Sequence, residues 1–140
     1  AIMLGIDCGL RRGEILAARR QNLDVVACTL KLTETKNGFK RFVGLSPRVI
    51  EEIRKLPVNI DGRIINCPGP DNFFHFYNQL QKWTGVKKSF HCTRHTFATR
   101  CVEKGWTIQE ISAQGGWRDL RVLKRYTHLS AEHLAKKLGS

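Results

Sequence analysis

The side chains between His91 and Leu129, in HCTRHTFATRCVEKGWTIQEISAQGGWRDLRVLKRYTHL, are of the types that phosphate chemistry uses. His91 and Arg94 are three positions apart, neighbours on one helical face, and Tyr126 lies among basic residues. An Arg presents a planar fork of donors to phosphate oxygens, and a Tyr hydroxyl can attack phosphorus where its surroundings ease the loss of its proton. His95 follows His91 by four residues, beside Cys92 and Cys101, so zinc has to be weighed. No acidic residue lies between the two histidines and no CxxC or second HxxxH completes four ligands, so His95 reads as a satisfied helix residue and no metal is expected. Magnesium would need clustered carboxylates, whereas the 12 acidic residues are dispersed. Arg, Lys and His donors are then the groups available to stabilise charge on a reacting phosphoryl group.

The remainder of the chain must position these groups. Its 140 residues suffice for one domain with a single core. No apolar run approaches ~20 residues, so no membrane span is expected. Lys and Arg number 24 against 12 acidic residues, a formal charge of +12 that favours a polyanionic partner, nucleic acid above all. The five scattered cysteines form neither a disulfide framework nor paired zinc knuckles, and predict reduced thiols in the cytoplasm. The opening AIMLGI reads like the interior of a buried helix, as though an N-terminal partner had been removed.

Residues 1–20 predict two short helices turning at Gly9, with Arg11 at the start of the second. Arginines beside a corner are commonly solvated, so this position alone gives Arg11 no function. From Asn22 to Leu45 the runs VVA, TLKLTET and FKRFVGL predict a three-stranded antiparallel sheet, with a hairpin at Asn37-Gly38 and Lys36 at its tip. Ser46-Pro47 opens a helix ending before Pro57, and Asp71 is expected to cap another that closes at Gly85. Within it, Phe73, Phe74, Phe76 and Tyr77 have the spacing of a buried face. A helix from His91 ends at Gly105, Thr107 and Glu110 form a capping box, Asp119 starts the segment carrying Tyr126, and Ser130 caps a last helix, AEHLAKKL. The fold class expected is mixed α/β, mainly α-helical with a small three-stranded antiparallel sheet.

These motifs resemble the boxes of the tyrosine recombinases, or phage-type integrases. GLRRGEILAARR is similar to the first box, an Arg followed three positions later by a Glu, here Arg11 and Glu14. HCTRHTF matches the His-x-x-Arg box through His91 and Arg94, and in GGWRDLRVLKRYTHL the interval from Trp117 to Tyr126 is that between the family's His or Trp and its nucleophilic Tyr. TKNGFKRFVGL looks like the hairpin carrying the family's active-site lysine, at Lys36. The resemblance runs from the first helix past Tyr126. It departs where Gly-Gly-Trp stands in place of the commoner Leu-Gly-His, which retains a donor in the indole N–H but no acid or base.

The resemblance implies a catalytic domain over residues 1–140, lacking the family's N-terminal DNA-clamping domain. It implies double-stranded DNA as partner, a homotetramer on DNA with the isolated domain monomeric, and no metal, ATP or other cofactor. Arg11 and Arg94 would hold the non-bridging oxygens of the scissile phosphate, and Tyr126 would attack to give a 3′-phosphotyrosine. Lys36 would protonate the leaving 5′ oxygen, with His91 and Trp117 adding hydrogen bonds and His91 assisting proton transfer. A phenol of unperturbed pKa ~10 would rely on these cations to react near neutral pH. Glu14 is expected to orient a neighbouring helix or basic group. The activity implied is site-specific DNA recombination or integration, in a bacterial or phage-infected cell. A type IB topoisomerase-like relaxation of DNA, or a DNA-binding module that has lost turnover, are the other readings.

Overall fold

The structure, a computed structural model, describes residues 1–33, 40–127 and 131–139, without side-chain detail at 131–133. Two short helices open the chain, α1 (Ile2–Cys8) and α2 (Arg12–Ala17). Gly9 makes the corner between them in the left-handed region, φ 71°, and the Phe97 ring occupies the space a Cβ there would need. Arg11 is the residue that precedes α2, and Glu14 reaches back to accept its backbone N–H at 2.8 Å.

The three strands β1 (Leu23–Asp24), β2 (Thr29–Leu32) and β3 (Arg41–Gly44) pair antiparallel in that order. The run VVA is a turn and not the first strand. Asp24 accepts the backbone N–H groups of Val26 and Ala27, and this side-chain cap bends the chain where the β-branched residues predicted an extended one. In β3 the buried Val43 pairs with Leu30, so Arg41, two residues earlier, lies on the same core-facing side. Lys36, Asn37, Gly38 and Ser130 lie outside the described residues.

Ser46 caps α3 (Pro47–Lys55) by accepting the Val49 N–H, and its hydroxyl donates to Asp7. Ser46→Ala removes both bonds and is expected to cost about 1–2 kcal/mol in urea unfolding. The next helix, α4 (Pro70–Thr84), starts earlier than predicted. Gly69 is its cap and Pro70 its first residue, because proline's fixed φ suits that position, leaving Asp71 inside the first turn with no capping role. Its aromatic face is also narrower than expected. Phe73 is buried and Tyr77 half-buried, both packing on Phe90, whereas Phe76 is exposed and Phe74 lies outside the core under the Arg12 guanidinium at 4.3 Å.

Helix α5 (Cys92–Glu103) follows, then α6 (Ile108–Gly115), opened by the Thr107–Glu110 capping box. The segment Leu120–Tyr126 is a 3₁₀ helix started by Asp119, and α7 (Ala131–Leu138) closes the chain. No helix among the described residues is long and apolar enough to cross a membrane.

The buried side chains form two clusters. One joins α1, α2, the sheet and α3 to Phe73 and Phe90, and the other gathers Phe97, Ala98, Cys101, Ile111 and Leu123, with Trp117 and Tyr126 at its edge. Gly5 lets α5 approach α1, since Thr93 fills the place a Cβ would take. Gln114 ties the two clusters together: its amide nitrogen donates to Cys8 O at 3.0 Å and Gly44 O at 2.8 Å, and its oxygen accepts the Gly44 N–H at 2.9 Å. The expected sites therefore lie along the seam between the clusters.

Candidate active site

Two arginines meet at the seam because three helix-end carbonyls are aimed at it. The last carbonyls of a helix have no intrahelical partner and carry its negative dipole end, which suits a guanidinium. Arg94, only 2% exposed, donates through one terminal nitrogen to Gly9 O at the end of α1 and to Gly115 O at the end of α6, the latter at 2.9 Å. Arg11 donates to the adjacent Gly116 O at 2.7 Å while its side chain remains 43% exposed. The buried Nε of Arg94 has no hydrogen-bond partner among the described residues. Burial, with the Arg11 charge adding to it, brings the Arg94 pKa down to about 10, so it remains charged at neutral pH.

Trp117 lies beneath Arg94, whose guanidinium carbon is 4.0 Å from the ring centroid, and Phe97 lies parallel to it at 6.4 Å. Its indole face thus acts as a shelf for the guanidinium, a role the hydrogen-bond expectation overlooked. A Cβ on Gly115 would collide with this ring, which is why the residue two positions before Trp117 is glycine.

Glu14 is buried beneath the two arginines' corner and holds it in place. It accepts from the Arg11 side chain at 3.2 Å and takes both terminal nitrogens of Arg41, one of them at 3.1 Å. Burial pushes the Glu14 carboxyl upward, but the hydrogen bond and charge of Arg41, helped by Arg11, outweigh it and hold it below the usual carboxylate value. A depressed folded-state pKa gives stability that is present above the unfolded value and lost as pH falls through the folded one. Glu14→Gln is accordingly expected to lower stability at pH 7 by about 1–3 kcal/mol and to flatten its acid dependence below about pH 4.5, as read by urea unfolding across pH. Glu14 thus orients basic groups, as expected. Its partner Arg41 was missed, although the alternation through Val43 in FKRFVGL signalled an inward-facing arginine.

His91 precedes the first residue of α5 and is exposed at the rim. Partial burial, then the charges of His95, Arg94, Arg11 and Arg125, lower its pKa and keep it neutral near pH 7. Tyr126 is half-buried at the end of the 3₁₀ helix, whose Leu123 is sunk in the second cluster. Its phenol departs from the expectation: burial raises the pKa, and the opposing pull of Arg125 and Arg94 does not overcome it. The hydroxyl meets Nδ1 of His95, a residue that reads from sequence only as a helix histidine. Arg11, His91, Arg94, Trp117 and Tyr126 are thus gathered in one place, with His95 added, while Lys36 falls outside the described residues. Among the described residues no cluster of three or more His, Cys, Asp or Glu could hold a metal ion.

The model of the phage integrase family matches residues 69–133, the segment that contains His91, Arg94, Trp117 and Tyr126. The chain is 36% identical over 140 residues to a shufflon-specific DNA recombinase of Escherichia coli, covering 98% of this chain and 36% of that protein. It is 27% identical over 135 residues to the tyrosine recombinase XerA of Saccharolobus solfataricus, covering 95% of this chain and 46% of that one. The chain therefore spans between about a third and a half of these relatives' length. Among solved structures, the catalytic domain of bacteriophage HP1 integrase superposes with a TM-score of 0.75 at 20% identity, over 99% of this chain and 78% of that one. The XerA recombinase crystal structure gives 0.73 at 20% identity, over 98% of this chain and 55% of that one. At such identities the likeness establishes the fold, a mainly helical domain with a small antiparallel sheet.

Proposed function

This chain belongs to the phage integrase family, the tyrosine recombinases, and from that premise we propose that residues 1–140 are the catalytic domain of a site-specific DNA recombinase. The observation that carries the reading is the convergence of Arg11 and Arg94 on neighbouring carbonyls, with the Tyr126 hydroxyl on the same surface. Two fixed positive charges beside a hydroxyl suit a phosphodiester, whose non-bridging oxygens gain charge as the nucleophile adds. Arg11, the more exposed, meets one oxygen from the rim, and Arg94 the other from below.

In this reaction the Tyr126 oxygen forms a bond to phosphorus while the bond to the 5′ oxygen breaks, leaving a 3′-phosphotyrosine and a 5′-hydroxyl. Lys36 protonates the departing oxygen, and neutral His91 hydrogen-bonds the phosphate at the rim. The covalent link preserves the energy of the phosphodiester, so a 5′-hydroxyl from a second strand reverses the step without ATP. Double-stranded DNA is the partner, drawn by the formal charge of +12. Several of the structural neighbours are recombinases in complex with DNA, among them an integrase of the Tn1549 transposon and the XerH recombinase, which supports this choice of partner. Exchange between two duplexes requires four such domains, and the reaction takes place in the cytoplasm.

The test incubates the intact protein with a pool of nicked duplexes of randomised sequence and isolates protein–DNA species that survive denaturant. The expected product is an adduct whose DNA-linked peptide contains Tyr126. Binding without any adduct would leave only a DNA-binding module of the same fold, and attachment at another residue would overturn the nucleophile.

A further inference from the structure

Of His91, which caps α5, and His95 within it, it is His95 that touches the tyrosine. Nδ1 of His95 lies in hydrogen-bond contact with the Tyr126 hydroxyl, the ring centroids being 5.8 Å apart with planes inclined at 44°. The His91 ring stands edge-on to His95 at 4.9 Å and 88°, supporting it from the N-terminal side. Helix geometry fixes this placement. His95 immediately follows Arg94, whose guanidinium is locked by two carbonyls, and buried Leu123 anchors the 3₁₀ helix that delivers Tyr126. The other charged or titratable groups acting on Tyr126 are Cys92 and Arg94 of α5 and Arg125 of the 3₁₀ helix, while Arg11 from the α1–α2 corner acts on the neighbouring His91.

We propose that His95 is the catalytic acceptor of the Tyr126 proton. This rests on the reading of Tyr126 as nucleophile. Nδ1 accepts the hydroxyl hydrogen in the tautomer that carries its own hydrogen on Nε2. As the phenolic oxygen bonds to phosphorus, its O–H bond breaks and the proton passes to Nδ1, giving an imidazolium. The P–O5′ bond breaks in the same displacement, and the leaving oxygen takes its proton from a separate donor, Lys36. On rejoining, the incoming 5′-hydroxyl gives its proton to the now neutral Lys36 amine as its oxygen bonds to phosphorus, the bond to Tyr126 breaks, and the imidazolium returns its proton to the phenolic oxygen. Burial raises the pKa of the phenol, which calls for an acceptor, and the arginines acting on it, Arg125 and Arg94, are cations that cannot take the proton, which leaves the His95 imidazole in contact with the hydroxyl.

The test measures single-turnover adduct formation by the intact protein on nicked duplexes selected by the wild type, against pH, for wild type, H95Q and H95N. Two substrates are compared, one with the ordinary 5′ oxygen and one with sulfur in its place, because a thiolate leaves without being protonated. His95 variants are expected to be slower by about 10² or more on both substrates, to gain about tenfold per pH unit where the wild type is flat, and to recover in part with added imidazole. Lys36→Ala should recover on the sulfur substrate alone. Duplex binding shows that each variant is folded, and using two substitutions prevents one misfolded protein from deciding the matter. A rate for a folded His95 variant within about threefold of wild type, or its full recovery on sulfur, overturns the assignment. Peptide mapping of the wild-type adduct separates the two readings: attachment elsewhere removes the nucleophile, whereas attachment at Tyr126 with unchanged His95 variants removes only the proton acceptor.

Discussion

Tyr126→Phe is expected to abolish the denaturant-stable protein–DNA adduct while leaving duplex affinity within about threefold of wild type. The substitution removes one oxygen and keeps the ring that packs at the edge of the second cluster. The lost hydrogen bond to His95 is worth about 0.5–1.5 kcal/mol of stability, too little to unfold the domain. Affinity comes instead from cations on phosphates, none of which is altered. A denaturing gel reads the adduct and a gel shift the binding. Adduct persisting at the wild-type level would exclude Tyr126 as nucleophile, and loss of both signals together would point to a structural role for the residue.

Arg94→Ala combines a loss of chemistry with a loss of stability, and the two are separable. The buried carbonyls of Gly9 and Gly115 lose their donor, and Trp117 loses the guanidinium resting on it. Against this, removing a charge whose burial brings its pKa down to about 10 relieves a desolvation cost and the repulsion of Arg11. The net expectation is a loss of about 2–4 kcal/mol in urea unfolding. Single-turnover cleavage, measured where circular dichroism shows the variant folded, should fall by about 10²–10³, as for removal of one donor to transition-state charge. Arg94→Lys keeps a charge, but its ammonium on a shorter stem has no planar group to lie on the Trp117 indole while reaching the carbonyls, so it should recover stability only in part. Cleavage by folded Arg94→Ala within about threefold of wild type would contradict the assignment.

The elements were legible wherever the signal was local. Gly9, the Ser46-Pro47 start, the Thr107–Glu110 box and Asp119 all appear as expected, since a cap involves residues two to four apart. The local reading failed where a second local interaction competed with the first. Asp24 turned a β-branched run into a bend, and Gly69-Pro70 took over the start of α4 from Asp71. It failed also where burial depends on neighbours distant in the chain, as when Phe74 and Phe76 remained outside the core that takes Phe73.

By itself the sequence determined the chemistry available: two arginines, a lysine, a histidine, an indole and a phenol at family spacing, in a basic chain with no dense set of carboxylates. Which of them act on one another was decided only in three dimensions. Arg11 reaches a carbonyl 105 residues away and Arg94 one 85 residues away, contacts that exist because helix ends from both halves of the chain meet at one seam. Trp117 became a shelf, Arg41 the partner of Glu14, and His95 the neighbour of Tyr126 in the same way. A motif specifies side-chain types and their spacing along one element. The partner of a buried charge or of a phenol is set by packing between elements, where the low dielectric makes each such pairing costly to leave incomplete.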